Sequence, residues 1–562
     1  MTQPTPLPSE VVALARPGTR AAVHLLRGFA ARGVRVAFGI PGSSVGPLFD
    51  ALADVPEIEL VATRHETTAV FAAIGHARAT GIPALVLVTS GPGVTNTLTG
   101  IASAHLEDVP LIVLGGDVAT TWAARGAFQD SSPAGLDVVS LMRGVTRFTT
   151  AVLAPSMASG AAARAWASAM GPRPGPVFLS VPYDVMQSAA AQPIAIADAL
   201  TPPVQLPDDG ACEAAAAIVS RAQRPLLVLG NGARGASAAA VELAEKTNMP
   251  VVVTPHAKGV FPETHPLYLG LIGNAGHPSA HDYVASGPDV VCVAGSRLGD
   301  FATNGWRLFV GGRIATIQID RDPLLIGRNA PVTLGIVGDA QATLESIANH
   351  LGEVTSVRKS PRLRTQPWNA NAPAGTVKPQ HAVLALERAF EGATFCSDIG
   401  EHMGFAQHYL TIDSPQRFHC MVGLGSMGSG VGAAIGIKHA TPSESVLVFV
   451  GDGGFNMHVS DLMTCVEQNI GVVFAVFNDG CWNMVEHGFR AVFRRRPGGM
   501  PSRVANLAEV ARAYGADACV IDDADKLDMT YLRSLVRPRV PLVLDIRIDR
   551  TESLSAGTRS VG

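Results

Sequence analysis

No two cysteines of this 562-residue chain stand in a CxxC spacing. The seven present, at 212, 292, 396, 420, 465, 481 and 519, are scattered, odd in number and mostly set in apolar runs such as "VVCVAG" and "DACVI". This pattern excludes a zinc ribbon, a redox dithiol and a disulfide scaffold, and it reads as the reduced core thiols of a cytoplasmic protein. An excess of charge is missing too. With 43 Lys and Arg against 47 Asp and Glu, the formal net charge of −4 gives no electrostatic basis for nucleic acid or an anionic membrane. No run reaches the roughly 18 apolar residues of a membrane span. The start "MTQPTPLPSEVVALARPG" lacks a basic segment followed by an apolar core, so no signal peptide is expected, and its prolines suggest a flexible arm. Only 16% of residues are charged while 47% are hydrophobic, which describes a compact protein with much of its surface hidden in subunit contacts.

What the chain does have is alternation. Its length exceeds one hydrophobic core and suggests about three domains. Helix-like "TRAAVHLLRGFAARG" leads to strand "RVAFGI", turn "PGSS", and then "ALVLVTSGPG", "PLIVLGG" and "GPVFLSVP". Strands alternating with helices imply parallel sheets. The first domain is placed at 18–188. A central one at 205–356 carries "RPLLVLGNGARG", "MPVVVTPHAKG", "PDVVCVAGSRLGD" and "RIATIQID". The third, at 376–550, carries "TFCSDIG", "SVLVFVGDGG", "GVVFAVFND" and "PLVLDIRID". The fold class expected is α/β, with three doubly wound parallel-sheet domains. Pro- and Ala-rich 188–210 and charged, Pro-rich 357–380 read as linkers, and the tail from Arg550 as a loose end or a lid. "GNGARG" at 230–235 falls short of GxGxxG and reads as a structural turn.

Within the third domain, "GDGGFNMHVSDLMTCVEQNIGVVFAVFND" spells strand end, glycine turn, helix and strand. It sets Asp452 and Asp479, 27 residues apart, at the carboxyl ends of two parallel strands, where open α/β sheets bind ligands. Two carboxylates meeting there need a cation. Oxygen ligands beside a turn rich in free N–H groups suit Mg²⁺ and a diphosphate. A lone G-D-G is more often only a tight turn; the surrounding strands and the second acid decide for the metal site.

From about 18 to 550 the chain resembles the thiamine diphosphate enzymes, and within them the acetolactate synthase-like family. The resemblance rests on "RHETTAVFAAIGHARATG", "TSGPGVTNTLTGIASAHLEDVPLIVLGG", "GAFQD", "GPRPGPVFLSVPYDV", "AKGVFPETHPLYLG", "SDIGEHMGFAQHY" and "GLGSMGSGVGAAIG" in family order, together with the G-D-G motif. It implies pyrimidine-binding, central and diphosphate-binding domains. It assigns Mg²⁺ to Asp452, Asp479 and the main-chain carbonyl of Cys481. It gives the diphosphate to Gly400, His402, Gly453 and Gly454, and the rest of the cofactor to Gly425, Met427 and Met484. Glu66 is the residue that shares a proton with N1′ of the aminopyrimidine, and Gln129 faces the reacting centre. Ser43, Ser44, Phe128, Lys258 and His487 join Gln129 on the substrate side. In this family Glu66 and Asp452 serve one cofactor from different subunits, so a homodimer or homotetramer with interfacial active sites follows. FAD is compatible but not required.

The implied activity is decarboxylation of a 2-keto acid, pyruvate foremost, and addition of the acyl anion equivalent to a second carbonyl. Simple decarboxylases of the class carry a His-His pair before the position of Gln129; none occurs between Pro110 and Gln129. That favours carboligation over simple decarboxylation, while an acetyltransferase of the same family stays open; Glu66, Asp452 and Gln129 argue against a non-catalytic relative. The chain departs from the family at Asp479 and at Glu401, where Asn and Gln are usual. It has Gly488 where a Trp shapes the acceptor pocket, which predicts a wider one.

Overall fold

The computed structural model describes residues 19–190, 204–309, 314–352 and 363–554. The N-terminal arm, most of the first linker, part of the second and the end of the tail lie outside the described residues. The chain divides into two compact units, Met1–Pro203 with Ile435–Thr441, and Val204–Ala434 with Pro442–Gly562.

The first unit holds a six-stranded sheet of β1 (Val36–Gly39), β2 (Glu59–Ala62), β3 (Leu85–Val88), β4 (Leu111–Asp117), β5 (Phe148–Ala151) and β6 (Pro176–Pro182). Its order is β2-β1-β3-β4-β6-β5, with every pairing parallel. The inner strands β1, β3, β4 and β6 are buried at every residue. Helices cover both faces of a parallel sheet, which is why these strands read as continuous apolar runs rather than alternating ones.

The second unit holds two sheets. One comprises β7 (Pro225–Leu229), β8 (Val251–Val253), β9 (Tyr268–Leu271), β10 (Val290–Ala294), β11 (Ala315–Asp320) and β12 (Leu334–Val337), in the order β12-β11-β10-β7-β8-β9. The other comprises β13 (Thr394–Ser397), β14 (Phe418–Cys420), β15 (Val446–Gly451), β16 (Val473–Asn478), β17 (Asp517–Ile521) and β18 (Leu542–Arg547). Its order, β14-β13-β15-β16-β18-β17, repeats the topology of the first unit's sheet. The middle sheet instead has the order of dinucleotide-binding folds.

Each sheet therefore has a point where successive connections leave in opposite directions: between β1 and β3, between β7 and β10, and between β13 and β15. A crevice opens at the carboxyl ends of such strand pairs. Among the described residues no helix is long and apolar enough to cross a membrane.

Candidate active site

At the β13/β15 crevice lies a cavity of about 270 Å³. Strand β15 ends at Gly451 opposite Phe477 of β16, so the helix that starts at Asp452 and the turn that starts at Asp479 leave neighbouring strands at the same level. Both carboxylates face the cavity. Gly453 N–H and Gly480 N–H donate to Asp452 at 2.7 and 2.9 Å, and Cys481 N–H donates to Asp479 at 2.8 Å. Burial raises Asp452 to about 6, and burial with the Asp452 charge raises Asp479 to about 7. Carboxyls pushed up by low dielectric and, at Asp479, by the neighbouring charge favour a cation that neutralises both. No group of three or more His, Cys, Asp and Glu able to hold a metal occurs among the described residues. The donor set is thus two carboxylates plus main chain, as for an ion that draws its remaining ligands from phosphate and water.

Gly400, His402, Gly425 and Met427 line the cavity, as do Gly453, Gly454, Cys481 and Met484. Gly400, Gly453 and Gly454 are needed for space. A Cβ on Gly453 would lie 2.7 Å from Trp482 Nε1, and one on Gly454 would lie 2.0 Å from an Asp398 carboxylate oxygen. His402 is the second residue of the helix Glu401–Tyr409, and its Nε2 is buried with no hydrogen-bond partner, while the ring also bonds the Asp398 main chain. Burial holds the imidazole down to about 4, so it is neutral without an anion beside it. A phosphate oxygen at Nε2 favours the protonated ring, which donates from both nitrogens. The residues present therefore fit a diphosphate and a divalent cation.

In the first unit, Glu66 opens the helix Glu66–Thr80 that follows β2. Its carboxylate accepts from Asn96 Nδ2 at 3.0 Å and borders Gly93. Gln129, with φ of 58°, lays its side chain over Gly91. Glu66 and Gln129, 63 positions apart, thus flank the same glycine turn after β3. Phe128 beside Gln129 is 84% exposed, and Ser43 is exposed at the end of β1.

Three residues expected on the substrate side are engaged by partners within the chain. Ser44 is buried, with its hydroxyl bonded to Thr89 Oγ1 and to the Ser90 N–H, both at 2.8 Å, so it pins the two turns of the β1/β3 crevice together. Lys258 is fully buried. Its ammonium is held by Glu263 at 2.8 and 3.0 Å and by the Leu410 carbonyl at 2.7 Å, which leaves no donor for a substrate. Glu263 also takes the Ile412 N–H, so this ion pair ties the middle sheet to the third. His487 has Nδ1 on Glu401 at 2.9 Å and a further bond to the Arg550 main chain. Glu401 itself lines the cavity, where His487 is its partner.

Sequence reasoning missed Trp482, Ile548 and Glu552 as cavity residues. The last two belong to the segment after β18, where Lys378 and Gln380 grip Glu552 at 2.5 and 2.8 Å. It also missed Asp398, although "SDIG" was at hand. Gly488 has open space where a side chain would project. The first two glycines of "GNGARG" are consumed by packing: a Cβ on Gly230 would meet the Gly295 carbonyl oxygen at 2.2 Å and one on Gly232 the Gly295 Cα at 2.9 Å.

Comparison with known proteins gives three domain matches. Residues 19–138 match "Thiamine pyrophosphate enzyme, N-terminal TPP binding domain", 212–347 the central domain and 398–546 the C-terminal TPP binding domain of the same family. The large subunit of acetolactate synthase isozyme 3 from Escherichia coli (strain K12) is 31% identical, the match covering 94% of each chain. A probable acetolactate synthase large subunit from Methanocaldococcus jannaschii is 31% identical over 95% of this chain and 93% of its own. Among solved structures, benzoylformate decarboxylase from Polynucleobacter necessarius superposes with a TM-score of 0.84 at 21% identity, covering 95% of this chain and 99% of that one. At that identity the likeness speaks for the fold.

Proposed function

The chain belongs to the thiamine pyrophosphate enzymes of the acetolactate synthase type, and from that premise we propose a carboligase that removes CO₂ from a 2-keto acid, pyruvate foremost, and joins the remaining acyl unit to a second carbonyl compound. The observation that carries this reading is the β13/β15 cavity, where two charge-stressed carboxylates, a buried imidazole whose Nε2 is unpartnered, and space-making glycines converge.

When bound, the cofactor supplies a carbon nucleophile that adds to the keto acid carbonyl and takes up the electrons released with CO₂. The chain's own residues do the rest. Asp452 and Asp479, with the Cys481 main chain, hold Mg²⁺. His402 and the main chain at Gly400, Gly453 and Gly454 hold the diphosphate, and Gly425, Met427 and Met484 pack the organic rings. Glu66 holds a proton on N1′ of the aminopyrimidine. Gln129 orients the acceptor. Ile548 and Glu552 line the cavity, and a lined, enclosed site limits the water that would otherwise protonate the acyl unit to an aldehyde.

Glu66 and Asp452 lie in different compact units. We assign them to one cofactor across two copies of the chain, making a homodimer or a homotetramer the working form. Three domains at 18–188, 205–356 and 376–550 remain the proposed division. FAD is compatible with the strand order of the middle sheet but is not required by the reaction. All seven cysteines are free, which supports a cytoplasmic location.

The test is to strip metal and cofactor, follow the thermal midpoint on re-addition, and incubate with pyruvate and a panel of keto acids and aldehydes with products read by mass. No shift at saturating thiamine diphosphate and Mg²⁺ would sink the proposal.

A further inference from the structure

Asp398 directly follows β13 and is completely buried. No cation is paired with it among the described residues, and burial pushes its carboxyl up to about 6. Such a group is costly unless hydrogen bonds replace the lost water. Here they do. Oδ2 takes the Gly428 N–H at 2.8 Å, while Oδ1 takes the Gly430 N–H at 3.0 Å and the Ser429 hydroxyl at 3.4 Å. These donors form the loop that carries Gly425 and Met427 and the start of the helix Ser429–Ala440.

The carboxylate also faces a second loop. Oδ2 occupies the place that a Gly454 side chain would need, and a Cβ on Gly430 would lie 2.6 Å from the Asp398 main-chain nitrogen. The Asp398 N–H is itself fixed to the Phe449 carbonyl of β15 at 2.8 Å. One side chain therefore touches the glycine turn after β15 and the loop before Ser429. Only a carboxylate presents acceptors alone to such a set, because an amide of the same shape would aim an NH₂ group at one of the N–H donors.

We propose that Asp398 is the positioning residue that fixes the Met427 loop and the Gly453–Gly454 turn relative to each other, so that the ring-packing and diphosphate-holding parts of the cofactor site keep one spacing. Its contacts reach neither metal ligand side chain, so its role is geometric. The inference rests on the cofactor reading of the cavity.

The experiment compares Asp398→Asn, Gly454→Ala and the double variant with the wild-type full-length protein. Cofactor affinity is measured by calorimetry with Mg²⁺ and thiamine diphosphate, and the cavity is followed by the emission of Trp482, which lines it. Each single variant, acting on the same contact, is expected to weaken binding about 10- to 100-fold, the scale of a disrupted buried polar network. The far-ultraviolet circular dichroism of the cofactor-free protein should stay the same. The double variant should bind no more weakly than the weaker single one. A double loss equal to the product of the single losses overturns the proposal, as does unchanged affinity in either folded variant. If Asp398→Asn does not fold, Gly454→Ala decides alone, since it keeps the carboxylate and displaces it. Absence of cofactor binding in the wild type counts against the proposed function instead.

Discussion

Replacing Asp479 by Asn tests the electrostatics of the site without changing its shape. Burial and the Asp452 charge raise Asp479 from an ordinary 3.8 to about 7. Keeping it ionised at pH 8 therefore costs the cofactor-free fold on the order of 4 kcal/mol at most. Solvent in the open cavity reduces that to roughly 2 kcal/mol. The sign is that of a raised folded-state value: the contribution to stability is fully present below about 3.8 and is lost as pH rises through about 7. Asn carries no such loss. At pH 8 the metal-free variant should melt about 4 to 8 °C above the wild type, with a flatter dependence between pH 5.5 and 8.5, on the usual scaling for domains of this size. Mg²⁺ with cofactor reverses the order, because the wild type offers the ion one more negative charge; its stabilisation by Mg²⁺ should fall as pH drops below about 7. The assay is a thermal melt in chelator and in Mg²⁺ with thiamine diphosphate across that pH range. A metal-free Asp479→Asn protein that melts no higher at pH 8, or that keeps the wild-type pH slope, would refute the argument.

Four further outcomes follow from other contacts. The hydrogen bond to Glu401 raises His487 above the ordinary imidazole value; as pH rises the pair is lost, leaving Glu401 uncompensated, so cofactor affinity should fall with rising pH in the wild type and stay level in Glu401→Gln. Lys258→Met leaves Glu263 buried without its cation and should cost about 3–5 kcal/mol in denaturant unfolding with no change in KM for the keto acid; a raised KM at unchanged stability would restore the substrate role. Glu66→Gln should lower turnover by on the order of 10²-fold or more, with cofactor still bound by calorimetry. Gln129→Ala should preserve CO₂ release and divert product from ligated ketone to free aldehyde, and equal loss of both would count against acceptor positioning.

The strands that sequence reasoning named are the inner four of each sheet. The six it passed over, β2, β5, β9, β12, β14 and β17, are the six edges. The cause is physical. β5 is half-exposed throughout, β2 and β12 bury one residue in four, and β14 has only three residues. A strand covered on both faces writes a continuous apolar run, while an edge strand needs none. The donor set around Asp452 and Asp479 was legible because its spacing is local to one strand, helix, strand unit. Glu263, five residues from Lys258, is a local partner, but the other partners of Ser44, Lys258 and His487, namely Thr89, Leu410 and Glu401, were not legible because they are remote in sequence. Asp398 was overlooked for the same reason, since its bonds close on Gly428 and Gly430 about thirty residues on.

The central claim is that this site joins carbon to carbon instead of releasing aldehyde, and the ratio of products formed from pyruvate tests it most directly. With Mg²⁺ and thiamine diphosphate present, CO₂ release is measured beside ligated hydroxyketone and free acetaldehyde in the same vessel, first with pyruvate alone and then with each candidate acceptor. The account predicts that, with a competent acceptor, ligated product equals CO₂ released and acetaldehyde stays a small fraction of it. Acetaldehyde equimolar with CO₂ whatever acceptor is offered would contradict it and leave a simple decarboxylase in its place.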